Sequence, residues 1–372
     1  MPLSRPLRAF AVLGIAFAAA CSDTTSTGPG TLTNPAATAA ALASFDSAFA
    51  SAPLASFGAL SVYIQPTAAL SRAGRMLEAT RPQAGASLEG AAVRRLSGLR
   101  GLAATPTAPQ GPLVPDSLYA SIFTWDSATA QYTRSQKTGG PANGVRFILY
   151  AINPLTETVA FPLTPVGQLD LLDESTGQNA TLHILVQSNA GAPTYLDYTS
   201  SLSAGLGTLT ATVSGTVTNA LQAPANKTLS FSVLATFSLT NVTVHATYTL
   251  NNPAFTIGLD ATDRRTLLTD SVTVDFLISR PNEAVRFTGL LVTTSGVVDT
   301  VVAQIKVNGQ TYATVKGNAT GVTFYDSQGV VIQDTAAQHD ILVALDRIRD
   351  VAEGVLLFTA ALFDPIINLL TI

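Results

Sequence analysis

The sequence contains one cysteine, Cys21, among 372 residues, so no disulfide can form within the chain. Charged residues are scarce too: they make up 12% of the chain, whereas soluble domains have about a quarter. The 24 acidic residues outnumber the 20 basic ones, and no basic stripe is available to follow a nucleic acid backbone. We therefore expect no nucleic acid partner, and solubility must depend on Thr, Ser, Asn and Gln.

Motifs that support catalysis are also missing from the sequence. It contains no HExxH pattern, no cysteine pair and no histidine cluster with metal-ligand spacing. It contains no G-x-S-x-G elbow and no Walker-type GK[ST], and the pair Gly205 and Gly207 lacks the third glycine of a dinucleotide loop. We predict that the protein is not an enzyme and needs no cofactor.

The candidate titratable residues are few. Asp170, Asp173 and Glu174 form the tightest carboxylate group, which is either part of a calcium site or a set of turn acids at a strand end. Their spacing matches no known calcium loop, which favours turn acids, and we expect no metal site. His183 and His245 lie in strand-like runs, and His339 begins the last helical segment. His245 is expected to be a solvated strand residue, because no partner motif lies near it in the sequence.

The N-terminus has the pattern of a targeting segment. Arg5 and Arg8 precede the uncharged apolar run AFAVLGIAFAAA, which ends at Cys21. Twelve residues are too few to span a bilayer as a helix but suit a secretory signal peptide. The small residues of positions 18–20 before Cys21 resemble the lipobox of bacterial lipoproteins.

That resemblance implies a specific fate for the N-terminus. Residues 1–20 would be removed, and the sulfur of Cys21 would carry a diacylglyceryl group that holds the protein to a bacterial membrane, facing the periplasm or the cell exterior. Ser22 is similar to the residue that favours outer-membrane sorting. The alternative is an ordinary signal peptide cleaved near Ala20. Loss of residues 1–20 leaves 18 basic and 24 acidic residues, a net charge of −6 with neutral histidines.

Two regions of low complexity follow the signal. Residues 21–40 are rich in Ser, Thr, Gly, Pro and Ala and predict a flexible tether. Residues 41–112 form a helical or irregular region rich in Ala and Arg, in which one or two short apolar helices are expected, with Pro53 as a breaker. The arginines of residues 66–112 either face anionic lipid headgroups or belong to a solvated linker; their Gly and Pro neighbours favour the linker.

Residues 113–335 have a period of two and predict a sheet. In GTLTATVSGTVTN (residues 207–219) apolar residues alternate with Thr and Ser, which indicates a strand with one buried and one wet face. No helical run interrupts the strand-like segments, so hairpin connections are expected. The predicted fold is mainly β (α+β): a large antiparallel, curved sheet packed on apolar N- and C-terminal helices.

Two hairpins allow a prediction of register. Asn308 and Gly309 form the strongest short turn signal, which pairs Val307 with Gln310, Ile305 with Tyr312 and Ala303 with Thr314. A change of parity predicts a second two-residue turn at Thr240 and Asn241, with Leu239 and Val242 on one face.

Residues 336–372 return to a helical period. Val355–Ile372 is apolar on all sides except for Asp364, which is followed by Pro365. Such a segment either packs against the sheet or inserts into a membrane; a central Asp costs roughly 2.5–3.5 kcal/mol on insertion, which favours packing.

Two functional hypotheses follow for this membrane-anchored protein. The first is a non-catalytic lipoprotein that binds or carries a hydrophobic ligand, similar at the level of fold to bacterial lipid-carrier lipoproteins, in which a curved sheet wraps apolar helices. The second is a structural or surface-interaction lipoprotein with a closed core and no small ligand. The sequence does not single out ligand-binding residues.

Overall fold

The computed structural model describes residues 51–60, Leu362, and residues 112–333 except 154, 157, 178, 223, 224, 295, 296 and 319. The predictions about the signal peptide, Cys21, the tether, the arginine-rich stretch, His339 and most of residues 336–372 lie outside the described residues. Among the described residues, the helical elements are α1 (Ala52–Leu60) and a 3₁₀ turn, Asp116–Leu118, and Leu362 is also helical. Within the described residues, no helix is both long and apolar enough to cross a membrane.

Fifteen strands form one sheet. They are β1 (Ser121–Asp126), β2 (Gln131–Thr138), β3 (Gly144–Tyr150), β4 (Pro165–Asp173), β5 (Asn179–Gln187), β6 (Thr194–Gly205), β7 (Thr208–Thr218), β8 (Thr228–Ser238), β9 (Asn241–Asn251), β10 (Ala254–Arg265), β11 (Thr269–Arg280), β12 (Glu283–Thr294), β13 (Val297–Val307), β14 (Gln310–Asn318) and β15 (Gly321–Asp326). The prediction of a mainly β protein with one large, mostly antiparallel sheet is confirmed.

The strand order follows the sequence from β15 down to β3 and then changes, ending with β1 and β2. β1 lies between β2 and β3 and pairs with β3 in parallel, through Ser121–Phe123 and Val145–Phe147. The expectation of a purely antiparallel sheet is therefore wrong at this edge. The physical reason is that β2 forms a hairpin with β1 and occupies one side of it. The chain must therefore cross from β2 to the other side of β1 before β3 begins.

One face of the sheet is buried, and we call it the inner face; the opposite side is the outer face. In β7 the inner face carries Leu209, Ala211, Val213 and Val217, none more than 6% exposed, whereas Thr and Ser alternate with them on the outer face. The alternation in residues 207–219 therefore predicts both faces correctly. Threonine suits the outer face because its β-branch fits a pleated strand while its hydroxyl remains solvated.

The core includes side chains from outside the sheet. Leu54 of α1 and Leu362 belong to the same buried cluster as the inner-face residues. A Cβ added at Gly167 on β4 would lie 2.5 Å from the Gln187 carbonyl oxygen and 3.1 Å from the Cβ of Pro53, so the glycine leaves space for both β5 and α1. Pro53 itself lies in the first turn of α1, where its missing N–H is tolerated.

The predicted turn at Asn308 and Gly309 is confirmed, since their φ angles are +50° and +81° and Val307 pairs with Gln310. The next predicted pairs are wrong. A bulge shifts the register, so Ile305 faces Ala313 rather than Tyr312, and Ala303 faces Val315 rather than Thr314. The bulge has a clear benefit: without it, the parity of β14 would place Lys316 on the inner face.

The second predicted hairpin exists, but its turn is displaced by one residue. β8 ends at Ser238 and β9 begins at Asn241, so the turn residues are Leu239 and Thr240. Phe237 faces Val242, and Leu239 is 66% exposed at the tip. A register shift of two residues keeps the same side chains inside, so the apolar pattern cannot distinguish the two turns.

Candidate functional site

Burial of the inner face changes along the sheet. On β8 it is complete, since none of the five inner apolar residues from Leu229 to Phe237 is more than 4% exposed. Towards β15, one row of directly paired inner-face residues is only partly covered. We call it the inner apolar row; its members are Val272, Leu291, Val301, Gly317 and Val322.

The inner apolar row lies at the margin of the core. Val272, Leu291 and Val301 are half-buried and Val322 is 50% exposed. Among the described residues, none of these side chains belongs to the buried cluster or packs against it. The row therefore offers apolar surface that the described part of the fold does not use.

The neighbouring row explains where coverage begins. It contains Val274, Gly289, Ala303, Val315 and Phe324. The Phe287 ring occupies the space beside Gly289, where an added Cβ would lie 3.1 Å from it. Val274 and Phe324 pack against the core, and beyond them Phe276 and Ile305 are fully buried. Coverage thus rises over two rows.

Two carboxylates lie beside the inner apolar row. Asp263 is directly opposite Val272, is 5% exposed and takes part in polar interactions. Asp270 precedes Val272 by two residues on the same face, and its Oδ1 atom has no hydrogen-bond partner within the described segments. A buried carboxylate oxygen needs a donor, because its desolvation is otherwise uncompensated. The margin is therefore apolar along the row and acidic at the β10–β11 end.

The outer face carries charged pairs instead. Arg146 on β3 donates two hydrogen bonds to Asp170 on β4, Nε to Oδ1 at 2.6 Å and Nη2 to Oδ2 at 2.7 Å. This hydrogen bonding raises the pKa of Arg146 above its ordinary value. His183 lies between two carboxylates, with Nε2 at 2.8 Å from Asp197 Oδ1 and Nδ1 at 3.1 Å from Glu174 Oε1.

A second charged group crosses β9 to β12. The His245 Nδ1 atom contacts Asp260, which is directly opposite Asp275, and Arg286 donates to Asp275 with Nε at 2.8 Å from Oδ1. Hydrogen bonding to Asp275 also raises the pKa of Arg286. The His245 side chain is 61% exposed, as expected for a solvated strand residue, and its partner Asp260 comes from β10 and not from its own sequence neighbourhood.

The predicted acidic group is not assembled into one site. Asp170 pairs with Arg146 on the outer face, Asp173 Oδ2 accepts a hydrogen bond from the Val114 N–H at 2.8 Å, and Glu174 contacts His183. Within residues 112–333 and the other described positions, no group of three His, Cys, Asp or Glu side chains could hold a metal ion. The outer-face pairs are mutually satisfied, and their chemistry is that of ion pairing between strands.

No family model, no curated protein and no solved structure matches this chain. Any functional conclusion must therefore come from its own residues.

Proposed function

We propose that the protein is an exported bacterial lipoprotein, attached to a membrane through a lipid on Cys21, that binds a hydrophobic ligand without catalysing a reaction. The observation that carries the ligand proposal is the inner apolar row. This row is a strip of apolar side chains on the same face as the fully buried core. Burial of the inner-face side chains decreases over two rows from the core to this strip.

The chemistry beside the row suggests the class of ligand. Burial of one large aliphatic side chain contributes roughly 1.5–3 kcal/mol. An acyl chain that buries the exposed parts of Val272, Leu291 and Val301 would therefore bind favourably. The carboxylate of Asp270 adds an acceptor at one end of the strip. We infer a ligand with an apolar tail and a head that donates hydrogen bonds.

The proposal includes a curved sheet that packs on apolar helices at both ends of the chain. Leu54 and Leu362 in the core support this arrangement, because each brings a helical residue to the buried cluster. The second candidate, a structural lipoprotein without a small ligand, is favoured by the complete burial of the inner face on β8. The two candidates differ in whether the inner apolar row is occupied.

The first prediction concerns the anchor. Metabolic labelling of a bacterial host with a fatty acid should mark the protein, and Cys21→Ser should abolish the label because the only sulfur that could be acylated is lost. If the Cys21→Ser chain still fractionates with membranes without label, the anchor lies elsewhere, with Val355–Ile372 as the obvious segment.

The second prediction concerns the ligand. The chain beginning at Ser22 should release a lipid on organic extraction, detected by mass spectrometry. It should also bind a fluorescent monoacylglycerol, whose hydroxyl groups can donate hydrogen bonds to Asp270. Leu291→Gln should weaken that binding severalfold, because it places an amide in the inner apolar row. Leu234→Gln is the matched control, since Leu234 lies on the outer face of β8, away from the row, and is 42% exposed. A clean extract with no binding of the monoacylglycerol would leave the structural candidate.

A further inference from the structure

The outer face of β11 to β14 differs from the Thr- and Ser-rich outer face elsewhere. It exposes Leu277 (36%), Leu290 (37%) and Val302 (40%), and the last two are directly opposite each other. Three basic residues, Arg286, Lys306 and Lys316, lie among them on the same face. We call these six residues the outer basic-apolar patch.

The charges of this patch are not balanced within the sheet. Arg286 and Lys306 are directly opposite each other, an arrangement that is destabilising for like charges. Arg286 is engaged by Asp275, but among the described residues neither Lys306 nor Lys316 has an ion-pair partner. Lys316 lies over the ring of Tyr325, 5.5 Å from its centroid. The patch therefore has an excess of positive charge, although the whole chain has a net charge of −4.

The combination of the two features identifies the partner. A nucleic acid or another soluble polyanion would use the lysines and leave the leucines in water. A lipid surface uses both, because aliphatic side chains enter the acyl boundary while lysines reach the headgroups. We propose that the outer basic-apolar patch docks on an anionic membrane surface. This inference goes beyond the ligand proposal and does not depend on lipidation of Cys21.

Docking in this orientation would join two features of the same strands. β11 to β14 carry the outer basic-apolar patch on one face and four of the five residues of the inner apolar row on the other. A membrane at the outer face would therefore lie one sheet thickness from the row, about 10 Å away.

The test is flotation of the full chain, made by cell-free synthesis, with two kinds of vesicle: phosphatidylcholine alone and phosphatidylcholine with phosphatidylglycerol. The measured quantity is the ratio of partition into anionic over neutral vesicles. Each surface lysine strengthens anionic binding about fivefold, so Lys306→Gln with Lys316→Gln should lower the ratio by about tenfold or more. Residues 1–20 contribute equally to every variant.

Matched variants separate this patch from general electrostatics. Arg134→Gln with Lys137→Gln removes the same charge from exposed positions on β2 and should leave the ratio unchanged. Lys306→Arg with Lys316→Arg should retain it, which also guards against misfolding of the glutamine variant. Leu290→Gln should lower partition into both vesicle types.

Three outcomes would overturn the proposal. The wild-type ratio could be close to one, or the two double glutamine variants could lower it equally, which would indicate unspecific attraction. Alternatively, Leu290→Gln could convert a dimer into a monomer on size-exclusion chromatography without any change in flotation. In that case the patch would be a contact between two copies of the chain.

Discussion

At the scale of single residues, the ion pair between Arg146 and Asp170 contrasts with the contact between His245 and Asp260. The Asp170 side chain is 7% exposed and that of Arg146 is 24% exposed, whereas the side chains of His245 and Asp260 are 61% and 63% exposed. Both pairs join adjacent strands on the outer face. They differ mainly in how far water screens and replaces the interaction.

We expect Asp170→Asn to lower the free energy of unfolding by about 2 kcal/mol at neutral pH, because it leaves a partly buried guanidinium without its carboxylate. Asp260→Asn should change it by less than about 0.5 kcal/mol, since exposed pairs contribute little. Urea unfolding followed by circular dichroism measures both. If both variants lost the same free energy of unfolding, burial would not determine how much each pair contributes to stability.

The sequence predicts residue environment better than residue partners. Alternation assigns Leu209 and Val213 to the buried face without any knowledge of the fold, because a strand has a period of two. The partner of His245 comes from a separate strand, 15 residues away, and is set by register. The inner apolar row was not predicted because its apolar residues have the same alternation as those of the core.

At the scale of elements, the hairpin of β13 and β14 shows what a turn fixes. The turn residues Asn308 and Gly309 set the first pair, but the bulge changes every later pair. Local turn chemistry can be predicted from two residues. The bulge depends on which side chains reach the core: Ala313 is fully buried in it, whereas Tyr312 is half-buried and packs against it.

Gly309→Ala should lower the free energy of unfolding by about 1 kcal/mol or more, because φ is +81° and an L-residue is strained there. An added Cβ meets no atom within 4 Å, so the cost comes from the backbone alone. Gly258→Ala on the outer face of β10 is the control: its φ is ordinary, its Cβ would be 3.9 Å from that of Leu277, and it should be close to neutral. Thermal unfolding compares the two, and equal melting temperatures would contradict this account.

At the scale of the whole molecule, Leu362 brings a residue from outside the sheet into the core. Leu362 is 7% exposed and belongs to the same cluster as Leu54. Packing of Val355–Ile372 against the sheet, the alternative that the central Asp364 favours, stays a prediction, and Leu362 is the one residue of this segment that the structure describes.

Leu362→Ala should therefore lower the free energy of unfolding by about 2–5 kcal/mol, as expected for a large-to-small change in a core. Leu234→Ala is the control, because Leu234 is 42% exposed on the outer face and its truncation should cost less than about 1 kcal/mol. Chemical denaturation gives both values. If Leu362→Ala has no effect, the C-terminal segment does not contribute to the core.

The strand order from β3 to β15 has a consequence for how such a protein can change in size. Each strand from β4 to β15 pairs only with its neighbours in sequence, so its stability depends on nearest-neighbour interfaces, as in repeat proteins. Excision of two consecutive strands, such as β8 and β9, would bring together two strands that already run in compatible directions. Duplication of a hairpin would likewise leave every other pairing intact. The sheet could therefore lengthen or shorten by whole hairpins during evolution, and two descendants could share a fold while differing by tens of residues.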